Sequence, residues 1–202
     1  MLNGPPPRLF YVIGPSGAGK DSLIAYARRR LDGRPLAFAH RYVTRPADAG
    51  GENHVALTAA EFTVREAAGC FAMAWSSHGL SYGIGSEIEA WMAGGLTVVV
   101  NGSRGYLRQA SARFPDLVPV AVTVAPAVLR ERLVRRGRET ATEIEERLAR
   151  AAAFTVDHPR LVVIDNTGPL EEAGDRLVAM LAGDRLVAML EGGRAEPPAV
   201  PS

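Results

Sequence analysis

Gly14-Pro15-Ser16-Gly17-Ala18-Gly19-Lys20-Asp21-Ser22 lies between a short apolar run and a helix-forming stretch. Upstream, Leu9 to Ile13 reads Leu-Phe-Tyr-Val-Ile, which predicts a buried strand. Downstream, Leu23, Ala27 and Leu31 recur at the spacing of one helix face. A strand, a turn with the spacing Gly-x-x-x-x-Gly-Lys and a helix together predict a phosphate-binding loop. Glycines let backbone N–H groups turn inward around phosphate oxygens, and the helix N-terminus adds positive potential. The rival fingerprint Gly-x-Gly-x-x-Gly fails, because its third glycine would have to stand at Ser22. Lys20 is the only lysine among 23 Lys and Arg residues. It stands where a compact ammonium fits among phosphates.

The loop has one departure. A Ser or Thr hydroxyl after the lysine is the usual Mg²⁺ ligand, and here that place is taken by Asp21, with Ser22 one residue later. A carboxylate is also a hard oxygen ligand, so Asp21 is the expected metal residue. The plainer alternative is a negative charge that favours the helix N-terminus electrostatically.

The rest of the chain alternates between strand and helix signals. Leu36 to Thr44 reads as a second strand, and Thr58 with Glu61 as a helix-opening capping box. Phe71 to Trp75 is strand-like and leads into a glycine- and hydroxyl-rich loop, Ser76 to Gly83. A helix from Ser86 closes at Gly94-Gly95, Thr97 to Val100 is a buried strand, and a helix runs to Arg113. Val118 to Val124 is a strand, followed by helix Ala127 to Arg136 and a helix from Glu143 to Phe154 announced by Thr142 and Glu145. Leu161 to Ile164 is the last strand, before a helix from Leu170. This order predicts a three-layer α/β fold with a mainly parallel sheet, its ligands meeting the strands' carboxyl ends.

The chain of 202 residues with 47% hydrophobic content suits one domain with a full core. A net charge of +1 gives no general polyanion signal, so no nucleic-acid partner is expected. Cys70 is the single cysteine, which excludes an internal disulfide, and its apolar neighbours suggest a core position. No apolar run reaches membrane-spanning length and no signal peptide is evident, so a cytoplasmic protein without a membrane partner is expected. Ala173 to Leu181 is repeated without change as Ala182 to Leu190. In an unbroken helix the second apolar stripe would face away from the first, unless Gly183 breaks it. The expected domain is residues 8–181, with 182–202 a peripheral duplicate and a disordered, proline-rich tail.

Residues 8–173 resemble the guanylate-kinase-like branch of phosphate-loop kinases. The resemblance is carried by the loop at Gly14, the pair Arg41 and Arg45, the segment Gly51-Glu52-Asn53-His54, His78-Gly79 and Tyr82-Gly83. Arg132 to Gly137 with Glu146-Arg147-Leu148 resembles that branch's lid. Within the branch, Gly-Pro-Ser-Gly-x-Gly-Lys-Asp-Ser and Val-Asn-Gly-Ser-Arg, ending at Arg104, are similar to the bacterial ribose 1,5-bisphosphate phosphokinases of phosphonate breakdown. That resemblance implies ATP and Mg²⁺ as cofactors and a phosphorylated pentose as substrate, converted to 5-phosphoribosyl diphosphate. It places the acceptor region at about residues 40–93 and the lid at about 135–147.

The implied nucleotide residues are Gly14, Pro15, Ser16, Gly17, Ala18, Gly19, Lys20, Asp21 and Ser22. Lys20, Arg136 and Arg147 are the implied catalytic cations, with Arg138 the substitute if the lid register shifts. Arg41, Arg45, His54, Tyr82 and Asn101 are the implied acceptor set. Independently of resemblance, two arginines four apart past a strand end suit an anionic acceptor, because guanidinium forks match phosphate oxygens. Two other readings stand beside this one. One is a nucleoside monophosphate kinase acting on GMP, and the other a non-catalytic binding module of the same fold.

Overall fold

The computed structural model describes residues 8–46, 54–137, 139–153 and 155–183. Strand β1 is Leu9–Ile13, fully buried as its apolar run demands. Helix α1, Lys20–Arg30, follows the phosphate loop directly. The expected strand at 36–44 is divided between two sheets: β2, Leu36–Phe38, and β3, Arg41–Val43, are separated by Ala39-His40. An apolar run conceals such a crossing, because both halves have strand composition.

The remaining strands are β4 Val55–Ala56, β5 Phe71–Ser77, β6 Leu80–Gly85, β7 Thr97–Asn101, β8 Val118–Thr123 and β9 Val162–Asp165. Helices α2 Ala59–Ala67, α3 Glu87–Ala93, α4 Leu107–Arg113, α5 Pro126–Arg136, α6 Ala141–Ala152 and α7 Leu170–Leu181 connect or flank them. The main sheet is parallel with order β2-β7-β1-β8-β9. A smaller, separately hydrogen-bonded sheet has the order β4-β3-β6-β5.

Side chains alternate across β1. Phe10 and Val12 pack on one face with Leu23 and Ala27 of α1 and Leu177 and Met180 of α7. Leu9, Tyr11 and Ile13 pack on the other with Leu107 of α4, Ile88 of α3 and Met73 and Ile84 of the small sheet. Two covered faces make the three layers, and they explain the uninterrupted apolar strands.

Three expectations need correction. Ser76 to Gly83 is mostly hairpin, not loop: β5 and β6 pair antiparallel through His78-Gly79, whose φ angles of 51° and 73° suit a tight turn. The capping box of α6 is Thr140 with Glu143, not Thr142 with Glu145, so the helix starts two residues earlier than Glu143. Cys70 is exposed rather than core.

Helix α7 ends at Leu181, and Gly183 stands at φ 86°, so of the two alternatives the break is the one observed. The remainder of the repeat, 184–190, and the tail lie outside the described residues, as does the segment 51–53 preceding His54. Among the described residues no helix is long and apolar enough to cross a membrane.

Candidate active site

The phosphate loop leaves β1 where the sheet's connections diverge, α1 crossing one face and α4 the other. That divergence opens a crevice at the strands' carboxyl ends. Gly17 and Gly19 both sit at φ 90°, a region costly for any other residue. A Cβ on Gly19 would also lie 2.4 Å from the Asn166 amide nitrogen.

Lys20 opens α1, and its ammonium donates to the carbonyls of Gly14 and Pro15 at 3.0 Å each. It therefore lies curled over the loop it serves. Asp21, in the first turn, accepts a 2.6 Å hydrogen bond from the Asn101 side-chain amide at the end of β7. The loop is braced from its other side. Asn166, after β9, donates to the Ala18 carbonyl at 2.7 Å, and Arg132 of α5 donates to the Asn166 carbonyl at 2.8 Å.

A cleft of about 1220 Å³ runs from this loop across to the small sheet. Gly14, Ser16, Gly17, Gly19, Lys20, Asp21 and Ser22 line it, while Pro15 and Ala18 do not. On the far wall stand Arg41, Arg45 and Tyr82. The Arg41 guanidinium lies 5.2 Å from the centre of the Tyr82 ring, and Tyr82 stacks on Trp75 at 5.6 Å. Trp75 stacks in turn on Tyr106, also at 5.6 Å.

His54 and Asn101 do not line the cleft; they stand behind residues that do. His54 Nδ1 faces an Arg45 guanidinium nitrogen at 3.2 Å, and its Nε2 faces the Arg45 carbonyl at 3.2 Å. A guanidinium can only donate, so Nδ1 accepts and the proton sits on Nε2. His54 thereby fixes Arg45 from both ends.

The lid arginines converge. Arg136, ending α5, donates to Glu139 Oε1, and Arg147, in α6, forms an ion pair with the same oxygen at 3.3 Å. The Glu139 side chain is only 5% exposed, and all three residues line the cleft. Leu129 and Leu133 of α5 pack on Ile144 of α6, so the two helices form a unit around this pair. Arg138 lies outside the described residues.

Sequence reasoning missed Glu139 and Arg132. Arg132 opens the lid-like stretch but is given no role of its own by the sequence, although its spacing of four from Arg136 puts both on one face. Glu139 stands three residues from Arg136, but its second partner, Arg147, comes from another helix and leaves no local signal. Seven of the lining residues are Lys or Arg, against the two carboxylates Asp21 and Glu139. A chain of net charge +1 thus concentrates its positive charge in one cleft. Such a cleft suits polyphosphates.

Fold and site together define a phosphate-loop kinase of the nucleotide-kinase class, an ATP-dependent phosphotransferase. The structure aligns with the crystal structure of guanylate kinase from Anaplasma phagocytophilum with a TM-score of 0.65 at 15% identity, over 96% of this chain and 99% of that one. At that identity the likeness concerns the fold alone. The sequence relatives are more specific. The chain is 58% identical over 175 residues to ribose 1,5-bisphosphate phosphokinase PhnN of Desulfomicrobium baculatum, covering 86% of this chain and 94% of the relative. It is 57% identical over 176 residues to the enzyme of the same name from Thiobacillus denitrificans, covering 87% and 93%. The chain belongs to the ribose 1,5-bisphosphate phosphokinase family. No protein-family model matches it.

Proposed function

We propose a residue-level account of the reaction, the ATP-dependent phosphorylation of ribose 1,5-bisphosphate to 5-phosphoribosyl diphosphate with release of ADP. The observation that carries it is one cleft with the phosphate loop on one wall and Arg41, Arg45 and Tyr82 on the other. A 1-phosphate oxygen of the acceptor attacks the γ-phosphorus of ATP. The bond from that phosphorus to the β,γ-bridging oxygen breaks, and ADP leaves.

The attacking phosphate is already largely ionised near neutral pH, its second pKa being about 6, so no general base is required. The protein contributes alignment and charge stabilisation, as phosphoryl transfer demands. Loop N–H groups and Lys20 hold the ATP phosphates, and Arg41 and Arg45 hold the attacking phosphate with forked hydrogen bonds. Arg136 and Arg147 face the transferred group from the lid side, where developing charge is stabilised best by preplaced cations. His54 and Asn101 act through Arg45 and Asp21 respectively.

Asp21 suits Mg²⁺. It is a hard oxygen donor beside the loop, and among the described residues no cluster of three His, Cys, Asp or Glu forms a dedicated metal cage. A single carboxylate completed by water and ATP oxygens is the usual arrangement for this ion. When bound, Mg²⁺ neutralises charge on the β- and γ-phosphates. The test is a coupled assay of ADP release with ribose 1,5-bisphosphate as acceptor, with the product identified as 5-phosphoribosyl diphosphate. ATP consumption without that product would reject the reading.

A further inference from the structure

We propose that Arg104 is the second anion anchor of the acceptor pocket, holding the phosphate of the sugar bisphosphate that does not attack ATP. The inference rests on the function proposed above, since only an acceptor with two phosphates needs two anchors. Arg41 and Arg45 supply two guanidinium forks to the phosphate that must be aligned for attack. A single guanidinium is enough to hold the passive one.

The backbone leading to Arg104 is unusually well fixed. Tyr11 of β1 is fully buried, and its hydroxyl both donates to the Ser103 carbonyl at 3.1 Å and accepts from the Ser103 N–H at 2.9 Å. Burial raises the Tyr11 pKa, which keeps the phenol neutral and able to serve in both senses. Gly102 permits the approach, because a Cβ there would lie 2.2 Å from the Tyr11 ring. The exit of β7 is thus pinned one residue before Arg104.

From that base Arg104 lines the cleft and is half-buried. Burial, and then the nearby charge of Arg150 on α6, depress its pKa. A guanidinium so placed gains more than an exposed one when an anion arrives. Tyr106, on the same turn, ends the ring stack that runs through Trp75 to Tyr82 and the Arg41 guanidinium. The ring stack thus joins the turn that carries Arg104 to the Arg41 guanidinium, along one wall of the pocket. A pentose with a phosphate at each end matches that arrangement, whereas a nucleoside monophosphate has one phosphate and no use for Arg104.

The test compares ribose 1,5-bisphosphate with ribose 1-phosphate, which keeps the attacking group and lacks the other. The readout is the ratio of their kcat/KM values, with the KM for ATP and the melting temperature as controls. Arg104→Gln is expected to lower that ratio about 10- to 100-fold, the scale of a lost charge-assisted hydrogen bond. Arg104→Lys, which keeps the charge and loses the fork, should fall between, and it serves if the glutamine variant does not fold. Arg41→Ala should depress both acceptors and leave the ratio within threefold. Inhibition by ribose 5-phosphate should weaken in parallel with the ratio. An unchanged ratio in the Arg104 variants overturns the proposal alone. Failure of the wild-type protein to use ribose 1,5-bisphosphate overturns the function on which it rests, and the proposal with it.

Discussion

Asn101 donates its side-chain amide to the Asp21 carboxylate at 2.6 Å, joining the end of β7 to the first turn of α1. That bond places Asn101 behind the loop rather than on the acceptor wall. Asn101→Ala should therefore act through Asp21. Losing a hydrogen bond to a charged group costs about 1.5–3 kcal/mol, so the half-saturating Mg²⁺ concentration should rise about tenfold or more. The acceptor KM should change less than threefold. Paired titrations of metal and acceptor check this, and a raised acceptor KM with an unchanged metal curve would return Asn101 to the pocket.

Lys20→Ala should nearly abolish turnover while leaving the fold intact, since the ammonium's bonds to the Gly14 and Pro15 carbonyls are local to the loop. Loss of one preplaced charge-stabilising donor costs about 2.7–4 kcal/mol of barrier, or on the order of 100- to 1000-fold in kcat. Single-turnover rates with saturating ATP measure it. Retention of a third of wild-type turnover would reject the assignment.

What the sequence reveals and what it hides follow from range. The phosphate loop, its flanking strand and helix, and the alternation of later elements are local patterns, readable from spacing alone. The division of 36–44 between two sheets is not, because Ala39-His40 carries no turn signal and both flanks have strand composition. The hairpin at His78-Gly79 was hidden by polar residues that face the cleft rather than solvent. Glu139 was invisible because its meaning depends on Arg136 and Arg147 meeting from two helices. The division of 36–44 and the place of Glu139 are tertiary relationships between residues that are individually unremarkable in type.

Glu139→Gln tests whether the buried carboxylate positions the lid arginines. Two guanidiniums share one oxygen, so neutralising it leaves them to repel each other. The variant should lose about tenfold in kcat/KM for ATP. In a double-mutant cycle with Arg136→Ala the two losses should fail to add, with a coupling of about 1 kcal/mol or more. Additive losses would make Glu139 independent of the clamp.

Tyr11→Phe removes the hydroxyl that satisfies both backbone groups of Ser103. Leaving a buried polar group without a partner costs about 1–3 kcal/mol, so the denaturant midpoint should fall with the slope unchanged. The pH dependence has a definite sign. The folded Tyr11 pKa is raised, chiefly by burial, so the unfolded chain loses this proton first. The hydroxyl's contribution is full below about pH 10 and declines above it. The stability gap between wild type and variant should accordingly narrow as pH rises beyond that point. A gap that widens there would contradict the buried neutral phenol.

Ribose 1,5-bisphosphate should be phosphorylated much faster than GMP, and the reason lies in which carboxylates the cleft contains. Guanine presents donors at N1 and N2, and a site that reads them needs acceptors. Strand β5, Phe71–Ser77, faces the acceptor region without a single acidic residue, and its Ala72 and Met73 are buried in the core. The described cleft lining has only Asp21 and Glu139 as carboxylates. Both are engaged, Asp21 by Asn101 and Glu139 by the two lid arginines. A guanine edge placed against this wall would leave its donors unpaired, at about 1–3 kcal/mol each. Two such losses amount to on the order of a hundredfold or more in discrimination. The arginines do not reverse this, because Arg41 and Arg45 serve the phosphate of either acceptor. Measuring kcat/KM for both acceptors with ATP and Mg²⁺ in one coupled assay decides the matter. Equal or better use of GMP would mean that the wall reads a base through contacts other than carboxylates, and it would promote the nucleoside monophosphate kinase reading.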